Sequence, residues 1–134
     1  MTLLVYAAKS YEVAQHLQQV IEEIVPKKNL EIYRNFNSLS YRLQQPMNGL
    51  RIAILLADSD QDLTDFLSLQ DLLSELRIIL ILPNREPSTF EKAHILGPRF
   101  MTYTDSDFED VKAVLGKMLS DLKRFEGKTA SQGH

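Results

Sequence analysis

Runs of aliphatic residues with no polar interruption constrain this chain more than any other feature. Ile78–Leu82 is five consecutive aliphatics, Ile52–Ala57 is apolar throughout, and Leu3–Ala7 is a shorter run of the same kind. A strand covered on one face alternates polar and apolar side chains, whereas a strand covered on both faces has no such requirement. Between these runs the apolar period changes to that of a helix. Val13, Leu17, Val20, Ile21 and Ile24 form one stripe. Leu63, Phe66, Leu67, Leu69, Leu72, Leu73 and Leu76 form a second, in a helix expected to start near Asp62. Phe108, Val111, Val114, Leu115, Met118, Leu119 and Leu122 form a third. Doubly covered strands alternating with amphipathic helices predict a parallel sheet with helices on both sides.

The residues between these segments complete the order. Ser10 stands where an N-cap belongs, and Pro26 closes the first helix. Leu30–Arg34 reads as a second strand, more polar than the others, as an edge strand is expected to be. Ser38–Gln44 reads as a short helix ending before Pro46, and Asn48-Gly49 turns the chain into the third strand, Ile52–Ala57. Pro83 stops the fourth. Ser88-Thr-Phe-Glu91 has the spacing of a capping box, so a helix is expected from there to Gly97-Pro98. Phe100–Tyr103 is the fifth strand, and Ser106-Asp-Phe-Glu109 repeats the capping-box spacing before the last helix. The expectation is a single α/β domain, a (βα)5 doubly wound parallel sheet over residues 1–126, with residues 127–134 a polar tail that has nothing to bury. Right-handed crossovers and a polar second strand favour the order 2-1-3-4-5. Ligand or signal chemistry then belongs at the switch point between strands one and three.

Composition removes several function classes. The chain has no Cys, which excludes disulfides, thiolate metal sites and a cysteine nucleophile. Fifteen basic against 18 acidic residues supply no basic excess for a phosphate backbone, so no nucleic-acid partner is expected. No apolar run approaches the roughly 18–20 residues that span a bilayer, so no membrane partner is expected. The first residues run directly into a strand without a basic leader or cleavage pattern, and the expected location is cytoplasmic. His16 and His94 fall in helices with no second ligand at i+4, and His134 is in the tail, so no metal site is expected. No G-x-G-x-x-G, P-loop, H-E-x-x-H or G-x-S-x-G spacing occurs, so neither an enzyme nor a cofactor is expected.

The third strand delivers Asp58 to its C-terminal end, with Asp60 close behind. The strands converging there end in Ala8-Lys9-Ser10, Pro83-Asn84 and Tyr103-Thr104. With the five-fold order and Ile-Ala-Ile-Leu-Leu-Ala-Asp58, the chain resembles a response-regulator receiver domain over roughly residues 2–125. That is the phospho-acceptor module of two-component signalling, and flavodoxin-like domains share its order of elements. The resemblance implies Asp58 as the acceptor, an acidic pair after strand one holding Mg²⁺ with it, a hydroxyl ending strand four and a Lys ending strand five. Here the first stretch is Tyr6-Ala7-Ala8-Lys9-Ser10, with no carboxylate before Glu12. The hydroxyl position falls near Pro83, and no Lys lies between Lys92 and Lys112.

Magnitudes decide what those departures imply. Turning a two-state element from 1:99 to 99:1 takes about 5.5 kcal/mol of differential binding. A hydrogen bond to a charged group contributes about 1.5–3 kcal/mol. Without Lys, hydroxyl and metal, a phosphoryl group on Asp58 has little with which to drive a change, and phosphoryl transfer loses the charge neutralisation it depends on. The expectation is a degenerate, pseudo-receiver domain, non-catalytic and acting in signalling through protein partners. A homodimer through the fourth helix, fifth strand and fifth helix of the repeat is expected, where His94, Phe100, Tyr103 and Phe108 fall. Lys9 has two readings: a solvated side chain, or a cation paired with Asp58 in place of the metal. Two other functions stay open. One is an atypical regulator phosphorylated on Asp58. The other is a flavodoxin-like binder of a small anion or nucleotide, using Lys9, Ser10 and Arg85; it lacks glycines after strand one that let backbone approach a phosphate.

Overall fold

Strand and helix alternate in the order that the periodicities predict. The chain runs through β1 (Thr2–Ala7), α1 (Tyr11–Glu22), β2 (Leu30–Tyr33), α2 (Phe36–Leu43) and β3 (Leu50–Leu56). It continues through α3 (Asp60–Leu67), the single turn α4 (Gln70–Leu73), β4 (Arg77–Leu82), α5 (Pro87–Leu96), β5 (Phe100–Tyr103) and α6 (Glu109–Gln132). The computed structural model describes residues 2–7 and 11–132, with side chains described for 2–7 and 12–123. One five-stranded sheet has the order β2-β1-β3-β4-β5, and every neighbouring pair is parallel.

The period of two along each strand sorts the aliphatic runs between two cores. Leu3, Val5, Ile52, Ile54, Ile79 and Ile81 face α1 and α6, where Leu17, Ile21, Phe108 and Leu115 meet them. Leu4, Tyr6, Ala53, Leu55, Leu80 and Leu82 face the other way, onto Leu39, Leu63, Phe66, Leu73 and Ala93. Each fully buried Leu, Ile or Phe contributes about 1.5–3 kcal/mol relative to exposure. β2 differs, since all four of its residues are only half-buried, as its place at the sheet edge requires. It is tied down by Arg42 of α2, whose Nε donates to Glu31 Oε1 at 2.6 Å while the Tyr33 hydroxyl donates to the same oxygen at 2.7 Å. Arg42 also donates to the carbonyls of Pro46 and Met47, at 3.2 and 3.1 Å. Burial pushes the Glu31 carboxyl up, but the hydrogen bonds from Arg42 and Tyr33 outweigh it and hold the group below its usual value. Burial, then the bond to Glu31, pushes the Tyr33 hydroxyl up to about 12.

Local details confirm one expected turn and correct several helix bounds and caps. Asn48 and Gly49 both have positive φ, 50° and 89°, and Leu50 N–H donates to Met47 O at 3.0 Å, so the expected turn is of the mirror-image type I kind. The helix expected over Ser38–Gln44 is Phe36–Leu43, because Asn35 caps it by accepting from Ser38 N–H at 2.8 Å. Ile24 leaves the first stripe: the helix ends at Glu22, the chain tightens, and Val25 is buried in its place. The second stripe is two helices, starting at Asp60 rather than Asp62 because Ser59 is the N-cap. Ser88–Glu91 is no capping box: α5 starts with Pro87 at its first position and Glu86 as a cap without a side-chain bond, while Gly97 ends it at φ 65°. At α6 the carboxylate that closes the turn is Asp110, not Glu109: Asp110 accepts from Ser106 Oγ at 3.1 Å and from Thr102 Oγ1 at 2.7 Å. α6 itself runs to Gln132, taking in most of the stretch set apart by composition as a tail.

Candidate functional site

The parallel sheet brings the C-terminal ends of β1, β3, β4 and β5 to one edge. Ala57 N–H still pairs with Ile81 O at 2.9 Å, so the sheet continues for one residue past β3 and delivers Asp58 at its rim. Ser59 is extended, and its hydroxyl accepts from Asp62 N–H at 3.4 Å to start α3. Asp62 turns back, and its Oδ2 accepts from Asp58 N–H at 2.9 Å. The side chain of Asp62 is buried, at 4% exposure, whereas Asp58 is half-buried. Neither carboxylate is without a partner. The buried acid at this corner is therefore Asp62, in the first turn of a helix, where the dipole favours a negative charge. Its signal was legible: Ser59-x-x-Asp62 is a capping spacing with Asp in place of Glu.

The neighbouring charges are used locally. Asp60 is held by Lys92 of α5, which also reaches Thr64 Oγ1 at 3.1 Å. Beneath them Tyr6 packs edge-on against Phe66, ring centroids 5.4 Å apart. Burial raises the Tyr6 hydroxyl above its usual value, and the charges of Asp62, Asp65 and Asp58 add to the shift. Pro83 ends β4 without a hydroxyl. Asn84 folds into the following loop, where its Oδ1 accepts from Glu86 N–H at 3.0 Å and from Thr89 Oγ1 at 2.7 Å. Thr104 continues β5, its N–H pairing with Leu82 O at 3.0 Å. Arg85 does not face an anion site. It forks onto Asp105 at 2.9 and 3.1 Å and lies 4.0 Å over the Tyr103 ring. That hydrogen bond holds the Asp105 carboxyl below its usual value. Lys9 and Ser10, the other predicted neighbours of Asp58, lie outside the described residues, as does His134.

Magnesium takes near-octahedral oxygen ligands, including carboxylates. Asp60 is engaged by Lys92, and Asp62 accepts from the Asp58 N–H. Among the described residues no group of three His, Cys, Asp or Glu side chains is placed to hold a metal ion. These donors do not fit the magnesium that the receiver resemblance implies.

The structure places the predicted interface residues on α5, on β5 and immediately before α6, and removes one of them from the surface. Phe108 is fully buried in the α1–α6 core at φ 64°, with its N–H held by Ser106 Oγ at 3.0 Å, so it belongs to no surface. Phe100 is half-buried on the same side, whereas Tyr103 packs toward the opposite core. His94 is exposed on α5, edge-on to Phe90 at 4.3 Å. Phe90 and Ile95 of that helix are exposed, at 42% and 55%, and belong to none of the apolar stripes in the sequence.

No protein-family model and no curated protein sequence matches the chain. Two solved structures do. The Salmonella typhimurium response regulator RcsB aligns with TM-score 0.66 at 13% identity, over 90% of this chain and 62% of that one. A putative pilus assembly-related protein from Burkholderia pseudomallei aligns with TM-score 0.62 at 15% identity, over 87% and 88%. The chain has a receiver-like fold. At these identities the likeness carries the fold alone. Among the described residues no helix is long and apolar enough to cross a membrane.

Proposed function

We propose that this receiver-like chain is a non-catalytic signalling module that acts through protein contacts and is not switched by magnesium-dependent aspartyl phosphorylation. One observation carries the reading. The polar groups placed around Asp58 by the ends of β3 and β4 are each engaged within the chain: Asp62 with the Asp58 N–H, Asp60 with Lys92, and Asn84 with Glu86 and Thr89. A phosphoryl group on Asp58 would have to break those contacts to gain others, and the positions after β4 and β5, Pro83 and Thr104, offer it no ammonium group. Fold likeness to a response regulator supports signalling as the setting, and the exposed apolar side of α5 supports protein contact as the mode. The reading includes a homodimer through α5, β5 and α6, in the cytoplasm.

The test is intact mass after incubation with acetyl phosphate and Mg²⁺, with Asp58→Asn as the control. The expected result is no adduct on a folded protein. A phosphoryl adduct lost in Asp58→Asn would replace this reading with that of an atypical phospho-accepting regulator.

A further inference from the structure

At the opposite end of the sheet, a cavity of about 290 Å³ opens where β4 and β5 begin, against α6. Arg77 is the first residue of β4, and Arg99 stands immediately before β5, its N–H donating to Ile78 O at 2.8 Å. The two arginines thus start adjacent strands, which lie about 4.8 Å apart in a sheet. Lys117 of α6 supplies a third cation, and Phe100 and Met118 supply apolar walls. Asp121 is the one acid among the lining residues, and it is not without a partner. Among the described residues no ion pair reaches Arg77, Arg99 or Lys117; the pairs formed use Arg42, Arg85, Lys92 and Lys112.

This inverts the charge of the chain. With 18 acidic and 15 basic residues the net charge is −3, yet three cations surround one acid here. Cations that line one cavity without an ion pair among the described residues make it a favourable place for an anion. The apolar walls add a second requirement, since an anion with no apolar group leaves Phe100 and Met118 uncovered.

We propose that this cavity receives an acidic segment of a partner protein, with carboxylates flanking one large apolar side chain. The apolar group seats between Phe100 and Met118, and the carboxylates meet Arg77, Arg99 and Lys117. At about 290 Å³ the cavity lies at the lower end of the roughly 300–1,000 Å³ of small-ligand pockets and has room for one large side chain. A nucleic acid fits less well, because the rest of the chain repels a polyanion. The proposal rests on the interaction reading and names the chemistry of the partner.

The experiment is an amide NMR titration of the full chain with acetyl-Glu-Asp-Phe-Glu-Glu-amide. Comparison probes are the same peptide with Phe replaced by Ala and a short single-stranded DNA. The expected result is saturable binding with shifts centred on Arg77, Arg99, Phe100 and Lys117. Binding should weaken by about tenfold or more in Arg99→Glu, in Lys117→Glu and with the Ala peptide. Both substituted positions are exposed, so an unchanged melting temperature verifies the fold. The proposal is overturned by no binding, by binding that both variants leave unchanged, by equal binding of the Ala peptide, or by tighter binding of DNA. Phosphotransfer is read separately by mass, so a failed titration with Asp58 unmodified sinks this proposal alone.

Discussion

The two ends of the sheet are finished in opposite ways. At the C-terminal end, charges among the described residues are matched inside the chain: Asp62 closes onto the Asp58 N–H, Lys92 takes Asp60, and Arg85 takes Asp105. At the N-terminal end, Arg77, Arg99 and Lys117 crowd a cavity with one acid among its lining residues. In open α/β sheets the first end is where ligands are expected. Among the described residues the charges at that end are paired and those at the other are not, so the fold alone does not say which end a given chain uses.

Substitutions that sort structural charges from spare ones sharpen this contrast. The largest effect belongs to Asp62→Ala, which strips a buried acceptor from the Asp58 N–H and a favourable charge from the start of α3. A loss of about 1–3 kcal/mol in urea unfolding is expected, and an unchanged midpoint would show that the corner is not held by this carboxylate. Arg42→Ala comes next. It removes the hydrogen bonds to Glu31, Pro46 and Met47, and about 1–2 kcal/mol should be lost. By contrast Arg99→Ala should stay within about 0.5 kcal/mol of the parent. A cost for Arg99 equal to that for Arg42 would break the distinction.

Acid and base probe the Arg42 cluster further. The folded Glu31 carboxyl lies below its ordinary value of 4.5, so its contribution is present above that pH and is lost as pH falls through the lower folded value. Tyr33 is shifted the other way, from 10.0 to about 12, so its contribution is present below pH 10 and is lost as pH rises toward 12. Melting temperature followed against pH should fall on both sides, with Glu31→Gln flattening the acid limb. The smallest effect is expected for Asp105→Asn, because the Arg85 pair is solvent-exposed, at 61% and 66% for the two side chains. Its melting point should move little, and less in high salt.

The architecture was legible because strand burial is written in local runs. Ile78–Leu82 and Ile52–Ala57 announced doubly covered strands, and the polar character of Leu30–Tyr33 placed β2 at the edge, which set the strand order. Caps were less legible, because Ser and a downstream acid recur by chance: Ser88–Glu91 has the spacing without the bond, while Ser59–Asp62 has the bond with the shorter acid. Phe108 kept its place in the helical stripe, but nothing local marks the positive φ that turns it inward. The pairings that close the site join residues 32 and 20 positions apart, Lys92 with Asp60 and Arg85 with Asp105. The cavity cations come from three separate elements. Such contacts exist only once the sheet has assembled.

The most direct test of the central claim is an amide NMR spectrum of the full chain with Mg²⁺ and beryllofluoride, a mimic of the phosphoryl group. The account predicts no specific shifts at Asp58, Asp62, Asn84 or Thr104 and none spreading to α5 or β5. A saturable set of shifts running from Asp58 to β5, abolished by Asp58→Asn, would contradict it and return the chain to the phospho-switched regulators.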